Sequence, residues 1–216
     1  MSVLVYAISS DDARASAASE LNEICAAGLR ALAEPVKEAP PANLQQLVRY
    51  EETVERIMQR HTILPMRFGS VLDSEEAVRD LLRERAAEFL SALEHLAGAA
   101  EYGLRVSAAP EGAAPGSADG DDGGPGESYM RARLAEQRRS RELCAWLDEA
   151  LAGLVRDRSY RSSLDPTAPL SAAYLVDRLT EHEFRERVTE ISESTHHILW
   201  WSGPWPPYSF AAGVRE

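Results

Sequence analysis

A segment with almost nothing apolar to bury lies at the middle of the sequence. Residues 109–127 contain six glycines, three prolines and five acidic side chains, with no basic residue. Such a composition cannot offset the conformational entropy lost on forming a packed core, so it predicts a mobile loop. The ordered parts of the chain must therefore come from the stretches before and after this loop.

The stretch before the loop begins with a strand pattern. Residues 3–8 are apolar and rich in β-branched side chains, and turn-forming residues follow them, which predicts a buried first strand. The segments 24–27 and 29–33 flank Gly28 and fit either a hairpin or a helix. Beyond a proline-rich linker, Asn43 is a plausible N-cap for an amphipathic helix that reaches about residue 60. The predicted apolar face of this helix consists of Leu44, Leu47, Val48, Val54, Ile57 and Met58.

Residues 62–108 carry the pattern of one β-α-β unit. The apolar segment 62–68 predicts a strand, in which Pro65 favours an edge or a bulge because it cannot donate a ladder hydrogen bond. Ser74 and neighbouring acidic residues predict the start of a helix that Gly98 ends. The alternating segment 102–108 then predicts a half-buried strand.

The stretch after the loop contains a second unit of this kind. A helical pattern runs from residue 128 to about residue 158. It is followed by a strand at 172–176, a helix opened by a capping box at 180–183, and a strand at 196–201. The two β-α-β units, 62–108 and 171–202, indicate an α+β chain whose larger domain is a modified ferredoxin-like fold.

These patterns predict two domains. The first is an N-terminal α+β domain at 1–61. The second is a modified ferredoxin-like domain at 62–216, which contains the acidic loop 109–127 and a helical insertion at 128–170. Linker composition often marks a domain edge, so a boundary at the acidic loop stays an alternative.

Charge and cysteine content exclude several classes of protein. The 216-residue chain has 35 acidic and 23 basic residues, and its formal charge of −12 repels a phosphate backbone or an anionic lipid surface. We therefore expect neither nucleic acid nor a membrane as partner. Its two cysteines are far apart in the sequence, which argues against a fold held together by disulfides. No apolar stretch approaches the roughly 20 residues of a membrane span. The N-terminus lacks a secretory signal pattern, so a soluble cytoplasmic protein is expected.

No arrangement of side chains in the sequence predicts catalysis, a cofactor or a metal ion. The five histidines form no ligand spacing with cysteine or glutamate, and no nucleotide-binding glycine motif or nucleophile elbow occurs. Arg67 precedes a helix start and could hold an anion, although a structural role is the more common one. We therefore expect that the chain is not an enzyme. An enzyme or small-ligand-binding protein on a ferredoxin-like scaffold stays the alternative, because such folds host unrelated functions.

Aromatic and proline residues crowd into the C-terminal run 200–210. Its prolines exclude a helix and fix an extended path, which presents the aromatic rings at low entropic cost. The rings could bind a partner, but we favour an internal role in which they clamp the two parts of the protein together. The residues of interest in this run are Gly203, Pro204, Trp205, Pro206, Pro207, Tyr208 and Phe210.

Two segments of the sequence resemble the signature stretches of the gas vesicle GvpF/GvpL family. The first contains Leu64, Pro65, Met66, Arg67, Phe68 and Gly69, and the second is the run 203–210. The order of the N-terminal strand, the first segment, a long helix and the proline-aromatic tail is also similar, so the resemblance covers nearly the whole chain. It favours the hairpin over the helix at 24–33.

This resemblance implies a function and partners that composition and spacing do not show. It implies a minor gas vesicle component with a two-domain α+β fold, whose C-terminal part is a modified ferredoxin-like domain. Its expected partners are the small hydrophobic shell protein GvpA and other gas vesicle accessory proteins. By covering apolar surface of the shell protein before it polymerises, such a chain would suppress aggregation and favour vesicle nucleation. The expected location is the gas vesicle, and no cofactor is implied.

Overall fold

A computed structural model of the chain describes residues 1–11, 21–108, 125–162, 170–195 and 197–211. These residues form two antiparallel sheets and five helices, which confirms the predicted mixture of strands and helices. Most of the predicted mobile loop, residues 109–124, lies outside the described residues. Its last positions are helical, because a helix begins at Pro125.

The chain divides into two compact units. The first unit comprises Met1–Glu101 and Pro204–Glu216, and the second comprises Tyr102–Gly203. The units do not divide at residue 61, where the sequence predicts a domain boundary, because the strands and helices of 62–101 pack with those that precede them. The C-terminal tail also belongs to the first unit, which no local pattern in the sequence indicates.

The N-terminal strand lies at the centre of the first sheet. The strands of this sheet are β1 (Ser2–Ser10), β2 (Asn22–Ala26), β3 (Leu29–Val36), β4 (Leu64–Pro65) and β5 (Val71–Leu72). Their order is β2-β3-β1-β4, and β5 also pairs with β1. Residues 3–9 of β1 are all buried, because apolar side chains on both faces of a central strand are covered. The predicted buried first strand is therefore confirmed, and Pro65 lies on an edge strand as expected.

The turn between β2 and β3 has two residues with positive φ. Ala26 pairs with Leu29, so Ala27 and Gly28 form the loop, with φ angles of 52° and 77°. Positive φ at both central positions is the geometry of a type I′ turn, which matches the twist of the flanking strands. The hairpin at 24–33 is thus confirmed. Gly28 adopts this geometry without strain, whereas Ala27 does so at a steric cost.

Replacing Ala27 by asparagine is expected to raise the free energy of unfolding by about 0.5–1 kcal/mol, because asparagine tolerates the left-handed region better than alanine. Ala27 is exposed, so the change removes no packing. Thermal unfolding followed by circular dichroism measures the difference. Ala27→Val is the control and is expected to lower the free energy of unfolding, since a β-branched side chain is least compatible with positive φ. A lower melting temperature for Ala27→Asn than for the unchanged chain would contradict the turn assignment.

Helix α1 (Leu44–Met58) begins at its predicted cap, where the side-chain oxygen of Asn43 accepts a hydrogen bond from the Gln46 amide at 3.0 Å. The prediction of an apolar face on α1 that is buried throughout is only half correct. Its C-terminal half packs into the core through Tyr50, Val54, Ile57 and Met58. Leu44, Leu47 and Val48 are exposed instead. Helical periodicity identifies the residues that share a face, but it does not say how much of that face a sheet covers.

The predicted β-α-β unit at 62–108 is wrong. Its first strands, β4 and β5, pair with β1, whereas its last strand, β6 (Ala99–Ala108), belongs to the second sheet. Between them lie α2 (Glu75–Glu84) and α3 (Ala86–Leu96) in place of one continuous helix. The predicted cap is present, since Ser74 Oγ accepts a hydrogen bond from the Ala77 amide at 3.1 Å. Local patterns give the strands and helices, but long-range pairing decides their sheet.

The second sheet has four strands, and two helices lie between these strands in the sequence. After β6 follow α4 (Pro125–Ala150), β7 (Asp157–Ser162), β8 (Leu170–Asp177), α5 (Glu181–Ser194) and β9 (His197–Trp205). The strand order is β7-β8-β6-β9. The core of the second unit contains Tyr102, Tyr174 and Phe184, all buried. The ring of Phe184 lies 5.4 Å from that of Tyr102 and 6.0 Å from that of Tyr174, measured between centroids.

Two predictions for the second unit need correction. The region 128–170 is not a purely helical insertion, because α4 ends at Ala150 and β7 pairs with β8. β7 was missed because its polar sequence shows no apolar alternation. The predicted capping box at the start of α5 is also absent: Thr180 makes no side-chain cap, and its Oγ1 donates to the Asp177 carbonyl at 3.3 Å instead. Across the described ranges, no helix has the length and apolar character needed to cross a membrane.

Candidate functional site

The first motif segment, 64–69, surrounds the buried side chain of Tyr50. The Tyr50 hydroxyl lies 2.8 Å from the Met66 carbonyl oxygen, 3.1 Å from that of Arg67 and 3.0 Å from that of Val5. A hydroxyl has one proton to donate, so it satisfies these acceptors one at a time. Burial holds the pKa of Tyr50 far above its usual range, which keeps that proton in place. Tyr50 thus ties α1 to the backbone of β1 and of the motif.

Aromatic contacts complete this arrangement. The Tyr50 ring stacks on Tyr6 with 4.7 Å between centroids and meets Phe68 edge-on at 5.4 Å. Gly69 follows with a φ of 83°, a conformation that favours glycine, and the Ser70 amide donates to the Arg67 carbonyl at 3.0 Å. Leu64, Pro65 and Met66 are buried, whereas the Arg67 side chain is exposed.

The second motif segment docks within the first unit through two carboxylates. The Tyr208 hydroxyl donates to the carboxylate of Glu51, 3.2 Å from Oε1 and 3.3 Å from Oε2. The Ser209 amide and hydroxyl donate to the two carboxylate oxygens of Glu101, each at 2.8 Å. Pro206, Pro207 and Phe210 are buried. Tyr208 also packs against the core cluster that contains Tyr50, so both motif segments meet around this tyrosine.

Glu51→Gln is expected to stabilise the protein at neutral pH. Burial raises the pKa of Glu51, and the hydrogen bond from Tyr208 lowers it by less. A carboxyl whose pKa is higher in the folded than in the unfolded chain destabilises the fold when it is ionised, and this effect disappears as the pH falls through the folded pKa. Glutamine carries no charge and still accepts from Tyr208. The variant's advantage should therefore be present at pH 7 and absent below the unfolded pKa of about 4.3.

Urea unfolding at a series of pH values measures the free energy of unfolding of both chains. The matched control is Glu52→Gln, which removes one charge from the exposed side of the same helix and is expected to change stability by less than about 0.5 kcal/mol. A Glu51→Gln chain that is less stable than the unchanged chain at pH 7 would show that the ionised carboxylate is favourable.

Three tryptophans, two next to the second motif segment and one within it, are exposed. Trp200, Trp201 and Trp205 on β9 have 55%, 38% and 44% of their surface accessible. An internal role therefore suits Tyr208 and Phe210, while the three tryptophans contact solvent. The clamp between two parts of the protein stays a prediction.

β9 is the last strand in the order of the second sheet, and among the described residues no strand pairs with its outer edge. Ile198, Trp200 and Trp201 are exposed along it, and we call these three residues the tryptophan edge. The guanidinium of Arg185 on α5 lies 4.8 Å from the centroid of the Trp201 ring, a cation–π contact that fixes its position. The sequence showed that aromatic residues crowd near the C-terminus. Because the apolar run of β9 has the pattern of a buried strand, the sequence did not predict that its tryptophans are exposed.

Ionisable side chains of the described residues do not converge on a metal site. No group of three or more His, Cys, Asp or Glu side chains in these ranges could hold a metal ion. Tyr50 and Tyr174 have a raised pKa because they are buried in the cores of the two units. The expectation that the chain is not an enzyme stays a prediction.

A family model described as "Gas vesicle synthesis protein GvpL/GvpF" matches residues 2–212. The chain belongs to the GvpL/GvpF family. This membership confirms the resemblance seen in the two motif segments, and it supports a gas vesicle-associated role for the chain.

Named relatives of the GvpL/GvpF family agree with this assignment. Gas vesicle protein L of Streptomyces sp. is 37% identical over 176 residues, which cover 71% of this chain and 63% of that protein. Gas vesicle protein L of Haloferax mediterranei is 28% identical over 204 residues, which cover 81% of this chain and 63% of that protein. The chain thus matches less than two thirds of the length of these two relatives.

A solved structure shows the same fold. The crystal structure of the gas vesicle protein GvpF from Anabaena sp. superposes with a TM-score of 0.77 and 20% sequence identity, covering 97% of this chain and 95% of that one. At this sequence identity the match establishes only the fold, which is mixed α/β with two antiparallel sheets.

Proposed function

We propose that the chain binds the small hydrophobic shell protein GvpA and assists vesicle nucleation by preventing its aggregation. Family membership supports an association with gas vesicles. The observation that supports binding of an apolar partner is the tryptophan edge, where two tryptophans and an isoleucine are exposed on an edge strand. Ile198 and Trp200 are two positions apart on β9 and therefore lie on one face of the strand, and exposed apolar side chains grouped in this way are typical of interaction sites.

Strand addition explains how this edge would hold the shell protein. The outer edge of β9 carries backbone N–H and C=O groups that a partner strand can pair with, and alternate side chains then give specificity. Tryptophans contribute most because each buries about 150–250 Å² of surface. Pro204 lacks an N–H, so it limits the pairing to the part of β9 that precedes it. The chain's charge of −12 would favour the solubility of the complex.

We also infer that the second unit is a modified ferredoxin-like domain. Its element order β6-α4-β7-β8-α5-β9 is the β-α-β-β-α-β arrangement of that fold. The strand order β7-β8-β6-β9, with the first and third strands of the unit in the middle, also supports this assignment. In this assignment α4 is the first crossover helix of the fold rather than part of an insertion.

Co-expression of the tagged chain with a gas vesicle shell protein tests the proposed function. We expect the shell protein to co-purify and its soluble fraction to rise. The double variant Ile198→Ser/Trp200→Ser should weaken co-purification at least about tenfold, as expected when a central aromatic residue of an interface is lost. Leu179→Ser is the matched control, because Leu179 is 97% exposed in the same unit but lies outside the tryptophan edge.

Two results would count against the proposal. If the shell protein neither co-purifies with the unchanged chain nor becomes more soluble, the function is wrong. If binding occurs but Ile198→Ser/Trp200→Ser retains it, with an unchanged melting temperature, the binding surface lies elsewhere.

A further inference from the structure

The outer face of α4 carries a basic and apolar stripe in an otherwise acidic protein. Met130, Leu134, Arg138 and Arg141 are all exposed, with Leu134 60% accessible. Residues at these spacings lie on one side of a helix. The opposite side, which contains Ser140 and Leu147, is buried. None of the ion pairs among the described residues engages Arg138 or Arg141, so this face is unused within the part of the chain that the structure describes.

The outer face of α1 carries a stripe of complementary chemistry. Leu44, Val48 and Glu52 are exposed, and Glu55 is partly exposed. Leu44 and Val48 are two of the three apolar residues of α1 that were predicted to be buried and are exposed. The core-facing side chains of α1, such as Tyr50 and Val54, point away from this stripe. An exposed apolar pair followed by carboxylates is therefore available on the first unit.

The two stripes have the same spacing along their helices. Each residue of the α4 stripe can be paired with the α1 residue whose number is lower by 86. The resulting pairs are Met130 with Leu44, Leu134 with Val48, Arg138 with Glu52, Arg141 with Glu55, and Glu142 with Arg56. Two parallel helices in this register would place apolar side chains together over their first turns and opposite charges together over the next ones. Each stripe extends over about 16 Å at 1.5 Å per residue.

We propose that α4 of one copy of the chain docks in parallel against α1 of a second copy. The two faces differ, so the contact is heterologous and joins copies head to tail into rings or open chains. Charge complementarity carries the choice of partner: a chain of net charge −12 presents its basic stripe to an acidic stripe of matching register on another copy. This self-association is independent of the tryptophan edge, so it can exist whether or not the shell protein binds there.

Sedimentation velocity of the full-length protein over a concentration series tests the contact. We expect the average mass of the unchanged chain to rise with concentration at low ionic strength and to fall at high ionic strength, because salt screens the charge pairs. Arg138→Glu/Arg141→Glu and Glu52→Arg/Glu55→Arg should each weaken self-association at least about tenfold. Arg187→Glu, on the exposed surface of α5, is the matched control and should leave it unchanged.

The effects of the two charge-reversed variants, alone and mixed, distinguish this contact from a homotypic one. In the mixture every reversed α4 face meets a reversed α1 face of opposite charge, so self-association should return to within about threefold of that of the unchanged chain. If two α4 faces were in contact, only Arg138→Glu/Arg141→Glu would change self-association, and if two α1 faces were in contact, only Glu52→Arg/Glu55→Arg would change it, whereas the proposed contact is weakened by both. Melting temperatures close to that of the unchanged chain ensure that each variant is folded.

Three results would overturn the proposal. The first is an unchanged chain that stays monomeric up to about 100 μM at low ionic strength, a concentration that detects even weak contacts. The second is self-association that both charge reversals leave intact. The third is self-association that Ile198→Ser/Trp200→Ser abolishes and the charge reversals do not, which would assign the contact to the tryptophan edge.

Discussion

Replacing Tyr50 by alanine is expected to lower the free energy of unfolding by about 3–5 kcal/mol, the usual loss for a large aromatic side chain in a core. Tyr50 is buried, stacks on Tyr6 and meets Phe68 edge-on. Its hydroxyl also satisfies backbone carbonyls of β1 and of the first motif segment. Removal of the side chain leaves a cavity and unpaired carbonyl groups where α1, β1 and both motif segments meet.

Urea unfolding followed by circular dichroism measures this loss. Tyr50→Phe separates the contributions, because it keeps the ring and removes only the hydroxyl, and we expect it to lower stability by about 1–3 kcal/mol. Gln45→Ala, on the exposed side of the same helix, is the surface control and should change stability by less than about 0.5 kcal/mol. A Tyr50→Ala chain as stable as the Gln45→Ala chain would contradict the central role of Tyr50.

Phe184→Ala is expected to destabilise the second unit by a similar amount, about 3–5 kcal/mol. Phe184 is completely buried and its ring contacts those of Tyr102 on β6 and Tyr174 on β8. With Val188 and Ile191, which are also buried, it forms the apolar face of α5. Aromatic contacts of this kind add to the burial of apolar area.

Near-ultraviolet circular dichroism reports this change, because tyrosine rings surround Phe184. Leu179→Ala is the control, since this leucine is almost fully exposed just before α5. We expect the control to unfold at the same urea concentration as the unchanged chain. If Phe184→Ala and Leu179→Ala unfold together, the packing of α5 on β6 and β8 is not what stabilises the second unit.

The two motif segments carry the resemblance to the family, and in the structure their apolar residues are mostly buried. Leu64, Met66 and Phe210 are buried and Tyr208 is partly buried. We infer that these residues are shared with the family because the fold requires them. The residues that we propose to contact partners, such as Trp200 and Arg138, lie beside or outside the motifs. A motif that identifies a family can therefore differ from the surface through which its members act.

The sequence by itself determined the local elements of this protein and its family. The caps at Asn43 and Ser74 depend on interactions among residues close in the chain, and both are present in the structure. The strand at 3–8 was predicted from its apolar, β-branched composition, whereas the hairpin at Gly28 was favoured only by the family resemblance. The family followed from the two motif segments and their order. Local chemistry is visible in a sequence because the interacting residues are a few positions apart.

Only the tertiary structure decided which sheet each strand joins and which apolar side chains are exposed. β4 and β6 belong to different sheets, although one pattern had placed them in a single unit. Leu44 and Trp200 fit apolar patterns but are exposed, because no described element covers them. Burial and strand pairing depend on residues that are far apart in the chain, such as Glu51 with Tyr208. Hydrophobic periodicity gives the direction in which a side chain points, but only long-range packing determines whether anything covers it.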